Sequence, residues 1–307
     1  MTIEINQIDG DTKAEGSIIT NLSSQKLLGQ FLVLVTPFLF LLIWHLIAAE
    51  TTPLILPSPY DVFMRLVSYF INGRVWPNLF KTKQEILAGF VLGSVLGLGF
   101  GTLISESVIA RKVIMPYIIV TQALPKFALA PMLVIWFGFG MAPKVIIAAL
   151  IAFFPLVENT YMGLTTTPGS QLELFRALRA SRITTLLKLR VPHAIPAIFS
   201  GFRVALMLSL VGAVVAEYVG ANQGLGALII VSQGTLDTEL MFVSFVVLTV
   251  LGLSLDWLYG LVYKAVLVKL YGKSISNISS STSRSVSYTH LRAHETEADL
   301  VCRLLLE

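Results

Sequence analysis

Long stretches without charged side chains are the feature that most limits what this chain can fold into. Residues 31–49 and 86–104 contain no Lys, Arg, Asp or Glu. A helix needs about 20 apolar residues to cross the hydrocarbon core of a bilayer, and both stretches reach that length. Three later stretches qualify with one charged residue each, namely Glu158, Arg203 and Asp256. The sequence therefore predicts a polytopic, all-α membrane protein.

A further apolar stretch, residues 113–141, is interrupted by prolines. It contains Pro116, Pro125 and Pro131 together with Lys126. Because a proline removes a backbone donor and kinks a helix, we interpret the stretch as one broken span. Six transmembrane helices are then expected within a domain of residues 26–272, at about residues 31–49, 86–104, 113–141, 145–162, 197–216 and 241–262.

The composition excludes most soluble classes of protein. Hydrophobic residues make up 55% of the 307 residues and charged residues 13%, whereas soluble domains carry about 25% charged residues. This excludes a water-soluble enzyme and a disordered chain. Apolar spans separate the basic residues, which is not the pattern of a nucleic-acid-binding face, and no nucleic acid partner is expected. The single cysteine, Cys302, forms no disulfide or metal site within the chain.

The two ends of the chain lie outside the predicted membrane domain. Residues 1–25 hold four acids and one lysine, which is not the basic start of a signal peptide, so the first span should remain as an anchor. Residues 273–285 form a Ser-rich tail. Residues 286–307 resemble the translation of a sequencing-library adapter, and we treat them as an artefact. The alternative is a short C-terminal helix.

The distribution of basic residues predicts the orientation. With the amino terminus inside, the cytoplasmic segments hold twelve Lys and Arg residues and the opposite side holds five. Basic residues are enriched in cytoplasmic loops. Six spans place both ends of the chain on one side. We therefore expect both termini, including the tail of residues 1–25, to be cytoplasmic.

Four glycines in the second span recur at intervals of four residues. They are Gly89, Gly93, Gly97 and Gly101. This spacing places them on one helix face, where a missing side chain lets another backbone approach closely. The pattern predicts a packing face; the alternative is the ordinary enrichment of glycine in membrane helices.

The broken span carries a lysine near its centre. Lys126 would cost several kcal/mol facing lipid, whereas irregular backbone is tolerated beside a polar cavity. One hypothesis is that a transport pathway is lined by this span and the end of the fifth, through Thr121, Gln122, Pro125, Lys126 and Glu217. The other hypothesis is a kinked structural helix whose Lys126 reaches the membrane surface.

The longest segment on the predicted cytoplasmic side covers residues 163–196. Within it, residues 172–190 alternate apolar and basic side chains at helical spacing, and Leu174, Phe175 and Leu178 fall on one side. An exposed apolar face of this kind needs a partner to cover it. The alternative is a helix lying flat on the membrane. Two prolines are expected to end this helix before the fifth span, Pro192 and Pro196.

The same segment contains a characteristic order of residues. Glu173-Leu174-Phe175 is followed by Arg179-Ala180-Ser181 and then by Pro192. This order resembles the EAA loop of ATP-binding cassette (ABC) importer permeases, in which Glu-Ala-Ala is followed by Gly and later by Pro. Leu174 and Phe175 stand at the alanine positions, and Arg179 stands at the glycine. Segments 56–63, 123–140 and 212–229 resemble the nitrate, sulfonate, taurine and bicarbonate branch, over about residues 30–268.

The resemblance implies the fold of a type I ABC importer permease and a permease domain of residues 26–272. It implies that the coupling loop, residues 163–196, docks into an ATP-hydrolysing subunit through Glu173, Leu174, Phe175, Ala177, Leu178, Arg179, Ala180, Ser181 and Pro192. The implied partners are a second permease chain in a homodimer, two ATPase subunits and an external substrate-binding protein. The implied location is the bacterial inner membrane, and the implied cargo is a small solute such as nitrate, a sulfonate or taurine, or bicarbonate.

No motif in the sequence predicts catalysis by this chain. Residues 272–274 end like a phosphate-binding loop, but Leu267 occupies its first glycine position. No nucleophile, carboxylate pair or His-rich cluster is placed for chemistry. We therefore expect no catalytic residue, metal or cofactor in this chain. The rival hypothesis is an ATPase-independent secondary transporter or channel, although the matched broken helices of such proteins are not found.

Overall fold

The computed structural model of the protein describes residues 31–220 and 222–271. The two terminal tails predicted at residues 1–25 and 273–307 lie outside these residues. All regular structure in the described part is helical. The α-helices are α1 (Phe31–Glu50), α2 (Pro59–Ile71), α3 (Val75–Glu106), α4 (Val108–Ala123), α5 (Ala130–Phe137), α6 (Met141–Thr165), α7 (Gly169–Ala177), α8 (Arg182–Thr185), α9 (Val191–Gly220), α10 (Leu225–Gly234) and α11 (Thr238–Tyr271).

Five of the helical segments are long and apolar enough to cross a membrane. They are α1, α3, α6, the continuous segment Arg182–Gly220 and α11. Helices α4 and α5 together meet the same criterion but are bent by 86° at the break between them. Counting this bent pair as one span gives six, as the sequence predicts.

Pro125 causes the break between α4 and α5. A residue that precedes proline is disfavoured in the helical region, and Leu124 is extended, with ψ 134°. A short 3₁₀ turn, Lys126–Leu129, leads into α5. The other two prolines do not interrupt the helices, because Pro131 lies in the first turn of α5 and Pro116 lies within α4.

The described residues form two compact units. The first comprises those among Met1–Thr82 and Gly220–Leu248. In this unit the Trp44 ring stacks on Phe242 with ring centroids 5.5 Å apart. The hydroxyl of Thr82 accepts a hydrogen bond of 2.8 Å from the Leu225 N–H at the start of α10. Aromatic stacking and a capped helix start therefore hold this unit together.

The second unit comprises the described residues among Lys83–Val219 and Thr249–Glu307, and within it α6 contacts glycines of both α3 and α9. The four α3 glycines all face α6. A Cβ atom on Gly93 would lie 2.6 Å from the Ala149 carbonyl oxygen, and one on Gly97 would lie 2.8 Å from Leu156 Cβ. Gly89 meets Ala148, and Gly101 meets Thr160. Backbones this close can pack only where side chains are absent.

These contacts show that α3 and α6 run parallel. Gly89 faces Ala148, and twelve residues further along both helices Gly101 faces Thr160. Parallel neighbours require the intervening chain to return from the end of α3 to the start of α6. The bent pair α4–α5 makes that return, so it traverses the length of the helices once. This supports the count of six spans.

Helix α9 packs on α6 in the opposite direction. A Cβ atom on Gly201 would lie 2.7 Å from Asn159 Cβ, and one on Gly212 would lie 2.8 Å from Ala148 Cα. As the α9 number rises, the α6 number falls, so the two helices are antiparallel. The close approach of α9 to α6 depends on Gly201 and Gly212, which the glycine pattern of α3 did not predict.

The expectation that Pro192 and Pro196 end the preceding helix is wrong. The chain is helical without interruption from Arg182 to Gly220, and Pro196 lies inside α9. A π-helical turn, Leu186–Arg190, precedes Pro192, and the Val191 N–H donates to the Leu186 carbonyl five residues earlier. The wider turn makes room for the proline ring, so the helix continues instead of ending.

Candidate functional site

The α7–α8 segment, Gly169 to Arg190, exposes both apolar and basic side chains. No residue of α7, α8 or the π-helical turn is buried. Leu174 and Leu178 are exposed, the latter by 69%, while Phe175 is half-buried. Ile183 and Leu187 are exposed as well. Sequence reasoning missed these two, although the apolar–basic alternation continues through them.

The turn after α7 places Arg179 in the left-handed region, with φ 49°. The Ala180 N–H donates to the Phe175 carbonyl at 3.0 Å, and the Arg179 N–H donates to the Arg176 carbonyl at 2.9 Å. These two bonds define a Schellman motif, in which the residue at the left-handed position is usually glycine. Arg179, which is predicted to stand at the glycine of an EAA loop, therefore has the backbone conformation that glycine favours.

Replacing Arg179 by glycine should stabilise this turn. The left-handed conformation costs an L-residue about 1 kcal/mol, and glycine avoids that cost. We expect the Ala180 amide to exchange its hydrogen about fivefold more slowly in Arg179→Gly. Arg179→Ala removes the same charge without conformational relief and should show no such slowing. Equal exchange rates in the two variants would contradict the assignment of strain to Arg179.

Ser181 begins the second short helix of the segment. Its hydroxyl oxygen accepts a hydrogen bond of 3.1 Å from the Thr184 N–H, which caps α8. Glu173 and Ala177 are exposed on α7, and Ala180 is half-buried in the turn. The residues predicted to mark a coupling loop thus lie together in one short helix–turn–helix, apart from Pro192 at the start of α9.

The break between α4 and α5 brings together four of the five predicted pathway residues. Thr121, Gln122 and Pro125 are exposed, and Lys126 is half-buried. The Lys126 ammonium lies 4.4 Å from the centroid of the Phe154 ring on α6. A cation over an aromatic face gains about 0.5–2 kcal/mol, so this contact stabilises the position of Lys126 against α6. Glu217 differs, since it is buried in α9.

The family is decided by the match along the chain. Residues 89–268 match the family described as the binding-protein-dependent transport system inner membrane component. The chain belongs to this family. The matched region contains α6, the α7–α8 segment and α9. The sequence-based identification as an ABC importer permease is thereby confirmed.

Relatives of this permease carry names of the same class. It is 38% identical over 224 residues to a probable ABC transporter permease protein of Haemophilus influenzae, covering 71% of this chain and 91% of that protein. It is 34% identical to the riboflavin transport system permease protein RibX of Chloroflexus aurantiacus, covering 74% and 85%. A putative aliphatic sulfonates transport permease protein SsuC of Bacillus subtilis is 27% identical, covering 78% and 88%.

A solved structure shows the same fold. A chain of the MetNI methionine ABC transporter, in inward-facing conformations, superposes with a TM-score of 0.56 at 18% identity, covering 62% of this chain and 95% of that one. The predicted all-α, type I importer permease fold is thus confirmed. Multi-pass placement in an inner membrane follows from the family and from the apolar helices.

A buried ion pair joins α3 and α6 in the permease. Lys144 Nζ donates to Glu85 Oε1 at 2.8 Å, and both side chains are buried. Glu85 Oε2 has no hydrogen-bond partner among the described residues. Sequence reasoning missed this pair, because the two residues are 59 positions apart and each flanks an apolar stretch. It extends the α3–α6 contact line by one helical turn before Gly89.

A second ion pair joins α9 and α11 of the permease. Arg203 donates hydrogen bonds through Nε and Nη2 to the two carboxylate oxygens of Asp256, each at 2.7 Å. Sequence reasoning treated these residues as separate. Arg203 remains 62% exposed and borders a cavity of about 530 Å³ with Tyr259 and Lys264. Among the described residues there is no group of three or more potential metal ligands.

Proposed function

We propose that this permease transports a small solute across the bacterial inner membrane and that its α7–α8 segment is the docking site for a separate ATP-hydrolysing subunit. The proposal rests on four exposed apolar side chains of this segment, namely Leu174, Leu178, Ile183 and Leu187. Exposed apolar side chains of a helix–turn–helix lower their free energy when an apolar groove covers them. The chain itself contributes no hydrolysis.

The helical continuity from α8 into α9 suggests how docking is transmitted. Arg182–Gly220 forms one uninterrupted segment, so a displacement of α8 acts along α9. Gly201 and Gly212 of α9 contact α6 closely. A shift of α9 therefore changes the α6 contacts, and the π-helical turn is the place where the segment bends most easily. Alternating access requires such contacts to differ between two states.

We propose the assembly that the family description suggests. It comprises two copies of this permease, two ATPase subunits and an external substrate-binding protein. Both termini are proposed to be cytoplasmic, which places the basic side chains of the α7–α8 segment on the inner side, in accordance with the distribution of positive charge.

The proposed cargo is nitrate, a sulfonate such as taurine, bicarbonate or a similar small solute. Relatives named for riboflavin and for aliphatic sulfonates indicate that permeases of this kind serve different solutes. The break between α4 and α5 is the proposed pathway lining, since Thr121 and Gln122 supply hydrogen-bonding groups and Lys126 supplies a positive charge. A cation at this position suits an anionic solute.

The decisive experiment introduces a charge into the proposed docking face. An aspartate at position 178 would have to lose its hydration in an apolar groove, which costs several kcal/mol without a partner. We expect Leu178→Asp to reach the membrane at the normal level while ATPase co-purification and uptake both fall at least tenfold. Uptake is measured with labelled taurine, nitrate, bicarbonate and riboflavin.

Leu54→Asp is the matched control. Leu54 is equally exposed but lies in the connection between α1 and α2, outside the α7–α8 segment. Its replacement should leave co-purification and uptake unchanged. Normal uptake together with normal ATPase co-purification in Leu178→Asp would overturn the proposed docking site and favour a transporter that needs no ATPase.

A further inference from the structure

We propose that the cavity between the α3–α4 connection and the α7–α8 segment binds the phosphate group of an anionic phospholipid. The cavity encloses about 780 Å³. Its lining combines three arginines, one glutamate, two serine hydroxyls and a short apolar strip. The residues that matter to the argument are Glu106, Ser107, Ile109, Arg176, Arg182 and Arg190.

Positive charge dominates the cavity. Three guanidinium groups face one carboxylate, which leaves an excess of two positive charges. Glu106 Oε1 accepts from Arg190 Nη1 at 2.5 Å. Arg190 Nε is buried and has no hydrogen-bond partner among the described residues. Arg176 and Arg182 are exposed and form no ion pair within the described part of the chain. The cavity therefore offers guanidinium donors that a phosphate group can use in pairs.

The start of α4 adds to this potential. Ser107 caps the helix, its hydroxyl oxygen accepting from the Ala110 N–H at 3.2 Å. The positive end of the 16-residue helix therefore opens on the cavity. This contribution alone would define no site, but it acts together with the three arginines on the same volume.

The apolar part of the lining distinguishes a lipid from a soluble anion. Val108 and Ile109 border the cavity and are exposed, Ile109 by 76%. Val113, one turn further along α4, is exposed too. Since α4 belongs to a bent pair that is long and apolar enough to span a membrane, the proposal places an acyl chain along these side chains. A phospholipid satisfies both surfaces at once, with its phosphate among the arginines and an acyl chain along α4.

Such a lipid would join the α7–α8 segment to the bilayer. Arg176 and Arg182 belong to the segment, and Arg190 belongs to the turn that leads into α9. The cytoplasmic location and any effect on coupling rest on the proposed function. The binding itself does not, because it depends only on the cavity and on adjacent lipid.

The test measures lipid binding by the delipidated full-length protein in neutral detergent, without any partner. The probe is fluorescent phosphatidylglycerol, with phosphatidylcholine as the zwitterionic comparison and inorganic phosphate as the soluble competitor. We expect phosphatidylglycerol to bind at least tenfold more tightly than phosphatidylcholine. The double variant Arg176→Gln/Arg182→Gln should lose at least tenfold in phosphatidylglycerol affinity, since it removes two donors from exposed positions.

The control removes two positive charges from α4, close to the cavity but outside its lining. Arg111 and Lys112 are exposed on α4 and do not line it. Arg111→Gln/Lys112→Gln should weaken binding less than twofold. Equal losses in the two double variants, or unchanged binding in Arg176→Gln/Arg182→Gln with normal size-exclusion behaviour, would overturn the proposal. Displacement by millimolar inorganic phosphate would assign the site to a soluble anion instead. None of these outcomes depends on whether Leu178→Asp affects ATPase docking.

Discussion

Replacing Lys144 by methionine is expected to cost the permease about 3–5 kcal/mol of stability. Lys144 supplies the cation that pairs with Glu85 at 2.8 Å, and both side chains are buried. Without it the Glu85 carboxyl group lies in a low-dielectric contact between α3 and α6 with no cation beside it. The second carboxylate oxygen already has no hydrogen-bond partner among the described residues. The loss of one partner therefore leaves a buried charge with nothing to offset its desolvation.

The double variant Glu85→Met/Lys144→Met separates this effect from a loss of packing. Removing both charges abolishes the uncompensated carboxylate, so the double variant should be more stable than Lys144→Met and close to the original protein. Stability is measured by reversible unfolding in mixed detergent micelles. Arg65→Met is the matched control, because the Arg65–Asp237 pair has a similar distance of 2.7 Å but is exposed.

The control variant should lose at most about 1 kcal/mol, because an exposed ion pair is screened by solvent. Two outcomes would contradict the account of the buried pair. One is a loss in Lys144→Met no larger than that in Arg65→Met. The other is a double variant whose loss equals the sum of the losses measured in Glu85→Met and in Lys144→Met, which would mean that the two charges do not interact.

The Glu85–Lys144 pair also helps to fix the register between α3 and α6. Glu85 lies four residues before Gly89, and Lys144 lies four residues before Ala148, which Gly89 contacts. The ion pair and the glycine contacts therefore follow one line along two parallel helices. A slip of one residue in the α3–α6 register would separate the charges and drive the glycine face into side chains. The pair thus selects the register that the glycines permit.

Features fixed by local spacing could be predicted from the sequence. Apolar length predicted the spans, and the four-residue glycine period predicted a common helix face, since both follow from helix geometry. The helix that this face contacts could not be predicted, because pairing between distant elements leaves no mark in local periodicity. For the same reason no local pattern in the sequence indicated the pair of Glu85 and Lys144.

The α7–α8 segment contains some features that the sequence predicts and others that it does not. Its exposed leucines and basic residues were visible in the alternation of residues 172–190. The left-handed conformation of Arg179 could not be predicted in this way, because arginine has no preference for it. Only the match of Arg179 to a glycine position pointed to this residue. Pro192 was misinterpreted because the rule that proline ends a helix assumes a regular α-helix before it, whereas a π-helical turn precedes it here.

Gly93→Leu should destabilise the permease by at least about 3 kcal/mol, since overpacking at a tight contact forces backbone movement. A Cβ atom at Gly93 would already lie 2.6 Å from the Ala149 carbonyl oxygen, which belongs to the α6 backbone and cannot rotate away. A leucine must therefore push α3 and α6 apart, and that separation also opens the contacts at Gly89 and Gly97. We expect a lower folded yield in detergent and a lower unfolding midpoint.

Gly99→Leu provides the control within the same helix. Nothing lies within 4 Å of a Cβ atom at Gly99, and leucine favours a helix over glycine by roughly 0.8 kcal/mol. This variant should match or exceed the stability of the original protein. If both leucine variants lose stability equally, the cost arises from the composition of α3 and not from its contact with α6. If Gly93→Leu is tolerated, the two backbones do not approach closely, and the parallel α3–α6 packing that requires α4–α5 to form one span loses its support.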